Sequence, residues 1–382
     1  MNQGIYIHVP FCVSKCPYCG FNSCAVRGGV PVSYVSAMIG DIAIESPKWR
    51  GRRFATIYFG GGTPSLLSAE QAEALMCALS EHLTLDDGAE VTLECNPATV
   101  DPRSLSAFRQ AGFNRLSIGV QSLVARELAA LGRIHGPGEA RDAIRAARAA
   151  GFDNVSADVM IGIPGQTPGS LSLTLEGLAS ALEHVSIYML SVERGTMFHA
   201  MVSRGLFARP DDSLLADLYE HAADGLERGG FRRYEISNWA RPGRRSEHNL
   251  IYWRRGNYLG IGAGSHSHLE GQRYSKTHGP RDYVRSVKAG AVAVDFDERL
   301  GAEQVMLEEV LLGLRTSRGL DLTVLPGGHP ADDSRLGGTV GRLVEAGFAV
   351  KNGKYLALSP KGILLHDEIS AEIASALSAS AA

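Results

Sequence analysis

Short β-rich runs alternate with longer amphipathic stretches through the first half of the chain. The strand-like runs are Ile5–Val9, Thr56–Phe59, Val91–Glu94, Arg115–Gly119, Val155–Met160 and Val185–Leu190. Between them lie helical patterns at about 33–47, 68–84, 101–111, 123–132, 138–150 and 168–184. Strand–helix alternation of this kind predicts parallel strands with helices outside. Six units, with no evident seventh or eighth, predict an α/β fold: a partial (β/α)6 barrel. A flat doubly wound sheet is the alternative, weakened because no dinucleotide fingerprint follows the first strand.

The pattern changes near residue 212. A helix over Leu214–Arg228 leads to the strand-like RRYEIS, and then to a Gly- and His-rich tract, 237–280, with no clear period. A tract that long inside a compact domain is usually functional or covers something. A helix at Glu303–Arg315 opens a smaller C-terminal α+β module. There a helix at 336–346 precedes FAVK, Asn352-Gly353 and KYLAL, a hairpin signal. Helices plus a hairpin resemble a winged helix, with a packing role, since no basic recognition helix is visible. The tail SALSASAA is expected to fray. The expected divisions are 1–211, 212–300 and 301–382.

Composition narrows the function. The net charge of −3 lacks the basic footprint of a nucleic-acid binder. Apolar runs are strand-sized, so no transmembrane segment is expected. The start MNQGIYIHVPF does not read as a signal peptide, and a cytoplasmic protein is expected. Four of the cysteines crowd between Cys12 and Cys24. A disulfide framework would spread them and would suit a small secreted chain, so metal is the better reading. Cys77 reads as a buried apolar filler in a helix.

Cys12-Val-Ser-Lys-Cys16-Pro-Tyr-Cys19 follows the first strand directly. Three thiolates can ligate three irons of a 4Fe–4S cubane, leaving the fourth iron without a protein ligand. The amino and carboxylate groups of S-adenosylmethionine suit that open position. Pro17 keeps the loop from winding into a helix. The alternative is a zinc site completed by Cys24, since zinc prefers four ligands.

The remaining polar features fall at successive strand ends, the rim where β/α barrels carry function. Strand two ends in Gly60-Gly61-Gly62-Thr63, whose glycines let backbone approach a ligand closely. Strand three ends at Glu94, a carboxylate suited to an ammonium or ribose hydroxyls. Strand four runs into Gln121, Arg133 follows, and strand five carries Asp158. Each has a bland reading: a cap for Gln121, a surface ion pair for Arg133, a hydrogen-bonded core carboxylate for Asp158. Together, at one rim, they point to a site.

The motif Cys12-x3-Cys16-x2-Cys19 resembles that of the radical S-adenosylmethionine superfamily. YIHVPFC, CPYC, FGGGTPS, NRLSIGVQS, LGRIH and GIPGQT are similar, more closely, to the oxygen-independent coproporphyrinogen III oxidases and their relatives. The resemblance spans essentially the whole chain. It implies a six-unit partial barrel and a cluster that cleaves the sulfonium reductively to a deoxyadenosyl radical. By matching motif it implies that Tyr6, Gly61, Gly62, Thr63, Glu94, Gln121, Arg133 and Asp158 contact S-adenosylmethionine, with Tyr18 near the adenine.

Three features separate branches of that family. The oxidases have a further cysteine two residues after the third, where this chain has Phe21. They carry an N-terminal extension, where only five residues precede Tyr6. The tract His248-Asn249-Leu-Ile-Tyr252-Trp253 resembles the HNxxYW signature of the haem chaperone branch. An imidazole beside tyrosine and tryptophan can supply an axial iron ligand and flat apolar surface for a porphyrin. From chemistry alone, a packed loop with a hydrogen-bonded histidine is the commoner outcome. With the resemblance, His248, Tyr252 and Trp253 are expected to bind haem, which is passed to acceptor haemoproteins. His266 and His268 are near in sequence. A homodimer is compatible with this reading. The alternatives are coproporphyrinogen III oxidation and a radical methyltransferase or cyclopropanase.

Overall fold

The computed structural model describes residues 2–325 and 334–378. Six parallel strands form its centre: β1 (Gly4–Val9), β2 (Arg53–Gly61), β3 (Thr84–Cys95), β4 (Arg115–Gln121), β5 (Val155–Ile161) and β6 (His184–Met189). They pair in chain order. The connecting helices are α1 (Val32–Glu45), α2 (Ala69–His82), α3 (Pro102–Gln110), α4 (Ala125–Ala130), α5 (Pro137–Ala149) and α6 (Pro168–Ala179). The fold is the α/β partial barrel that the alternation predicts. Helix starts follow from sequence: Ser68, Asp101 and Thr167 each accept from the backbone N–H three residues on, and Pro occupies the first turn of α3, α5 and α6.

Each strand is two-faced. Ile5, Ile7 and Val9 of β1, and Ile57 and Phe59 of β2, are fully buried under the helices. The alternate positions are polar or aromatic: Tyr6 and His8, Thr56 and Tyr58, Glu90 and Glu94, Ser117, Asp158, Tyr188. Successive side chains of a strand point to opposite faces, so these residues look into the barrel. Barrel interiors are ordinarily packed with branched apolar side chains. A polar interior is therefore the first structural sign of a site.

The helix and strand read at Leu214–Arg228 and RRYEIS are present, whereas the tract 237–280, read as lacking a period, is largely strands and helices. Following α7 (Met197–Ser203) and α8 (Asp212–Arg228), β7 (Arg232–Glu235) and β8 (Asn238–Ala240) extend the β6 edge antiparallel. Helix α9 (Glu247–Trp253) then crosses to the other edge. There β9 (Tyr258–Ile261) pairs parallel with β1, a seventh parallel strand that the hydropathy pattern did not reveal. Antiparallel strands β10 (His266–Leu269), β11 (Gln272–Lys276) and, after α10 (Pro280–Lys288), β12 (Val294–Arg299) complete a 12-stranded sheet. These strands are short and carry Ser, His and Arg, so no apolar run announces them. Lys276 and Asp41 pair at 2.5 Å, both 0% exposed, and Tyr283 donates to the same carboxylate, tying this extension to α1.

The C-terminal module holds α11 (Ala302–Arg315), β13 (Leu320–Asp321), α12 (Arg335–Glu345), β14 (Ala349–Asn352), β15 (Tyr355–Leu358), α13 (Pro360–Ile363) and α14 (His366–Ser378). Its hairpin is shifted by one residue from the expected Asn352-Gly353 turn. Asn352 pairs with Tyr355, leaving Gly353-Lys354 as the two-residue loop, with Gly353 at φ +57°. Glycine at the first central position is what a type II′ turn requires. The expected fraying of SALSASAA is not seen over its first residues: Ala376 and Leu377 are buried in α14. Residues 379–382 of that tail lie outside the described residues. Among the described residues no helix is long and apolar enough to cross a membrane.

Candidate cofactor cavity and the helix beneath it

The cysteine loop springs from the end of β1. Phe11–Cys12 pairs with Cys24–Ala25, pinching the intervening residues into a closed loop. Cys19 N–H bonds Cys16 O at 3.1 Å, the Pro17 carbonyl accepts from Phe198 N–H at 3.0 Å, and Lys15 Nζ ties Phe21 O and Ser23 O at 3.2 Å. Cys12, Cys16 and Cys19 are partly exposed and line one cavity of about 600 Å³. Cys24 is exposed and is not among the lining residues, and Cys77 on α2, expected to be buried, is exposed because it falls on the outward face of that helix. Two donors already face the sulfurs: Thr63 Oγ1 lies 3.4 Å from Cys12 Sγ, and Arg133 Nη1 lies 3.7 Å from Cys16 Sγ. Burial pushes the Cys12 thiol up, and the Thr63 hydroxyl works against that rise.

The rest of the cavity is the polar rim. Gly61, Gly62, Thr63, Glu94, Gln121, Arg133 and Asp158 all line it, with Tyr18 at the cysteine loop. Burial and then the neighbouring Asp158 carboxylate push Glu94 up to about 7, while hydrogen bonds from Tyr58 Oη at 2.8 Å and Gly61 N–H at 3.2 Å favour its ionised form. Burial likewise raises Asp158, against a bond from Ser117 Oγ at 3.2 Å. Arg133 Nη2 holds Gly119 O at 2.8 Å, while its Nε is buried without a partner. Gln121 Oε1 is also buried and unpartnered, on a residue at φ +66°. A buried polar atom left unpaired and a left-handed backbone, both beside the cysteine loop, are features that a bound ligand would account for. The glycines have a packing role besides: a Cβ on Gly62 would sit 2.7 Å from Phe11 O, and on Gly61 2.5 Å from the His8 ring.

Three cysteines lining one cavity, with an unpaired donor and acceptor on residues of the same lining, suit an iron–sulfur cluster carrying a polar, partly charged organic ligand. Tyr6 does not line this cavity. Its hydroxyl meets His8 Nδ1 at 3.0 Å, and its ring lies deeper, stacked on Tyr58 at 6.3 Å.

The HNLIYW tract forms α9 at the opposite end of the barrel. Ser246 caps the helix, and the Glu247 and His248 N–H groups bond the Glu90 carboxylate at 3.2 and 3.1 Å. His248 is 1% exposed. Its Nδ1 meets Thr56 Oγ1 at 2.7 Å and its Nε2 meets Tyr252 Oη at 2.8 Å. Burial, then the Arg115 charge, pushes its pKa down to about 3, so the imidazole is neutral. Tyr252 stands edge-on to Tyr258 at 4.7 Å, and Trp253 lies under the Arg315 guanidinium at 4.2 Å. In this arrangement both His248 nitrogens are engaged, unlike an open ligand. His268 is buried with Nδ1 on Gly256 O at 2.9 Å, whereas His266 is exposed.

The radical SAM superfamily model matches residues 6–176 and the HemN C-terminal domain model matches residues 300–365. The heme chaperone HemW of Mycobacterium tuberculosis is 37% identical over 96% of this chain and 93% of its own length. The chain belongs to the HemW family. The Escherichia coli heme chaperone HemW is 41% identical, over 74% of this chain and 75% of its own. The solved structure of Escherichia coli coproporphyrinogen III oxidase, HemN, a radical SAM enzyme, superposes with a TM-score of 0.82 at 23% identity, covering 98% of this chain and 90% of that one. It shares the fold.

Within this HemW-family barrel the motif reading did not single out Tyr58, Ser117 or Tyr188. Tyr58 holds Glu94, Ser117 holds Asp158, and Ser117 and Tyr188 line the cavity. The signal was present in the alternation: each is an inward position of a strand whose neighbours are apolar.

Proposed function

We propose that this protein binds haem and passes it to acceptor haemoproteins. In this reading Cys12, Cys16 and Cys19 hold a 4Fe–4S cluster, and S-adenosylmethionine fills the open coordination position. The likeness to heme chaperones along 96% of the chain carries the haem half. The cofactor half is supported by three cysteines sharing a cavity with the unpartnered Gln121 Oε1 and Arg133 Nε. When bound, the cluster supplies an electron to the sulfonium of S-adenosylmethionine. This chain's own residues bind and orient. Thr63 and Arg133 donate toward cluster thiolates, Glu94 and Asp158 offer carboxylates to ammonium and ribose hydroxyls, and Gln121 offers an amide oxygen.

Haem is assigned to His248, Tyr252 and Trp253. Because both His248 nitrogens are bonded, iron ligation there requires His248 to give up one of them, the bond to Thr56 or the bond to Tyr252. Tyr252 and Trp253 are partly exposed and offer the ring surface a porphyrin needs. The test is titration of purified protein with haem, followed at the Soret band. The expected result is weaker binding by His248→Ala; equal binding by wild type and variant ends the assignment of His248.

A further inference from the structure

The Tyr58 side chain bridges the cavity and the floor helix. Its hydroxyl donates to Glu94 Oε1 at 2.8 Å, and its ring stacks on the His248 imidazole at 5.0 Å and 24°. His248 is in turn fixed by Thr56 and Tyr252. Two glycines leave room for this column. A Cβ on Gly60 would lie 3.0 Å from the Tyr58 and Tyr6 rings and 3.2 Å from the Glu94 carboxyl carbon. A Cβ on Gly4 would lie 2.8 Å from Thr56 Oγ1 and 3.0 Å from the His248 ring. From carboxylate to imidazole the column is continuous, through the Tyr58–Glu94 hydrogen bond and the Tyr58–His248 stack.

We propose that Tyr58 is a positioning residue for S-adenosylmethionine, and that through it the placement of His248 sets the carboxylate of Glu94. The inference rests on the reading that the rim cavity takes S-adenosylmethionine. Tyr58 fixes Glu94 from below while Gly61 N–H fixes it from the side. When His248 moves to ligate iron, giving up Thr56 or Tyr252, the Tyr58 ring loses the surface it stacks on, and its hydroxyl no longer holds Glu94 in one orientation. Coupling between two sites is reciprocal. Bound S-adenosylmethionine then holds His248 in the floor and opposes its use as an iron ligand; haem on His248 loosens S-adenosylmethionine. The two ligands compete without sharing a site.

The test is a double-mutant cycle on cluster-reconstituted full-length protein, reading the dissociation constant of S-adenosylmethionine by equilibrium dialysis. Tyr58→Phe keeps the stack and removes the hydroxyl, and is expected to weaken binding by about tenfold, the usual worth of a hydrogen bond to a charged group. His248→Leu is expected to weaken it by a smaller factor. The double variant should bind no worse than Tyr58→Phe alone, because His248 acts through that hydroxyl. Unchanged binding by Tyr58→Phe overturns the inference, as do single-variant losses that multiply in the double. If wild type itself binds no S-adenosylmethionine, the cavity reading falls first, and separately. A reciprocal measurement needs no variant: ferric haem is titrated into reconstituted wild type with and without saturating S-adenosylmethionine. Weaker haem binding in its presence supports the coupling, and identical binding curves overturn it.

Discussion

At the rim of the barrel Gln121 Oε1 and Arg133 Nε are buried with no partner, and Gln121 is held at φ +66°. At the floor both nitrogens of His248 are bonded and its backbone N–H is taken by Glu90. The rim thus combines unpaired polar atoms with three cysteines, whereas the floor histidine is fully bonded, although Trp253 Nε1 of the same helix is buried without a partner. A polar group left unpaired in a folded chain costs stability unless something else binds it. The rim is therefore organised around a ligand, whereas the floor residues contribute to stability as they stand. Substitutions should separate along that line, affecting ligand content at the rim and stability at the floor.

The largest separation is expected at the cysteines. Cys16→Ala should lose nearly all iron and sulfide after anaerobic reconstitution, while Cys24→Ala, outside the cavity, should retain both. Loss in Cys24→Ala as well would favour a four-cysteine site.

Next, His248→Ala leaves two hydroxyls unpaired and a void, and should cost about 2–4 kcal/mol in chemical unfolding. Its iron content should stay at the wild-type level. Gln121→Ala should change stability by about 1 kcal/mol or less, yet weaken S-adenosylmethionine binding by about tenfold. If the two variants exchange these profiles, the division between rim and floor is wrong.

The two ends should also respond to pH with opposite sign. Glu94 sits at about 7, above its ordinary 4.5. Its ionisation opposes folding as pH climbs from 4.5 toward 7, and S-adenosylmethionine binding should strengthen over the upper part of that range. Glu94→Gln should flatten the binding profile. His248 sits at about 3, below its ordinary 6.5. Its contribution to stability is complete above 6.5 and is lost as pH falls toward 3. Unfolding and binding curves measured from pH 5 to 8 distinguish the two.

The smallest effect is expected from Gln121→Gly. Relief of the left-handed backbone should outweigh the little that the unpaired amide contributes to stability, for a net gain of about 0.5 kcal/mol in chemical unfolding.

How much of this was legible in the sequence follows from where its signal lies. The six central strands were legible because Ile5, Ile7 and Val9 of β1 and their counterparts alternate with polar positions, and capped helices follow. The rim was legible because Thr63, Glu94 and Gln121 fall at or just beyond strand ends, and because Asp158 is a carboxylate amid apolar neighbours within β5. Strand β9 was not, because Tyr-Leu-Gly-Ile is too short to show a period, and its parallel pairing with β1 is set by contacts more than 200 positions apart. The closed state of His248 was legible in part: a hydrogen-bonded histidine was the commoner outcome on chemistry alone, and its partner Tyr252 lies four residues on. Its other partners, Thr56 and Tyr58, come from β2, and nothing local to HNLIYW names them. Local pattern thus recovers strands and motif residues, while the partners that complete the closure of a histidine come from distant strands.

The most direct test of the proposed function is haem transfer. Reconstituted protein loaded with one haem is mixed with the apo form of a b-type haemoprotein, and the acceptor's Soret spectrum is followed. The expected result is conversion of the acceptor faster than from the same amount of haem on serum albumin, with loss in the His248→Ala variant. Haem that stays on this chain, or reaches the acceptor no faster than from albumin, would contradict a chaperone function.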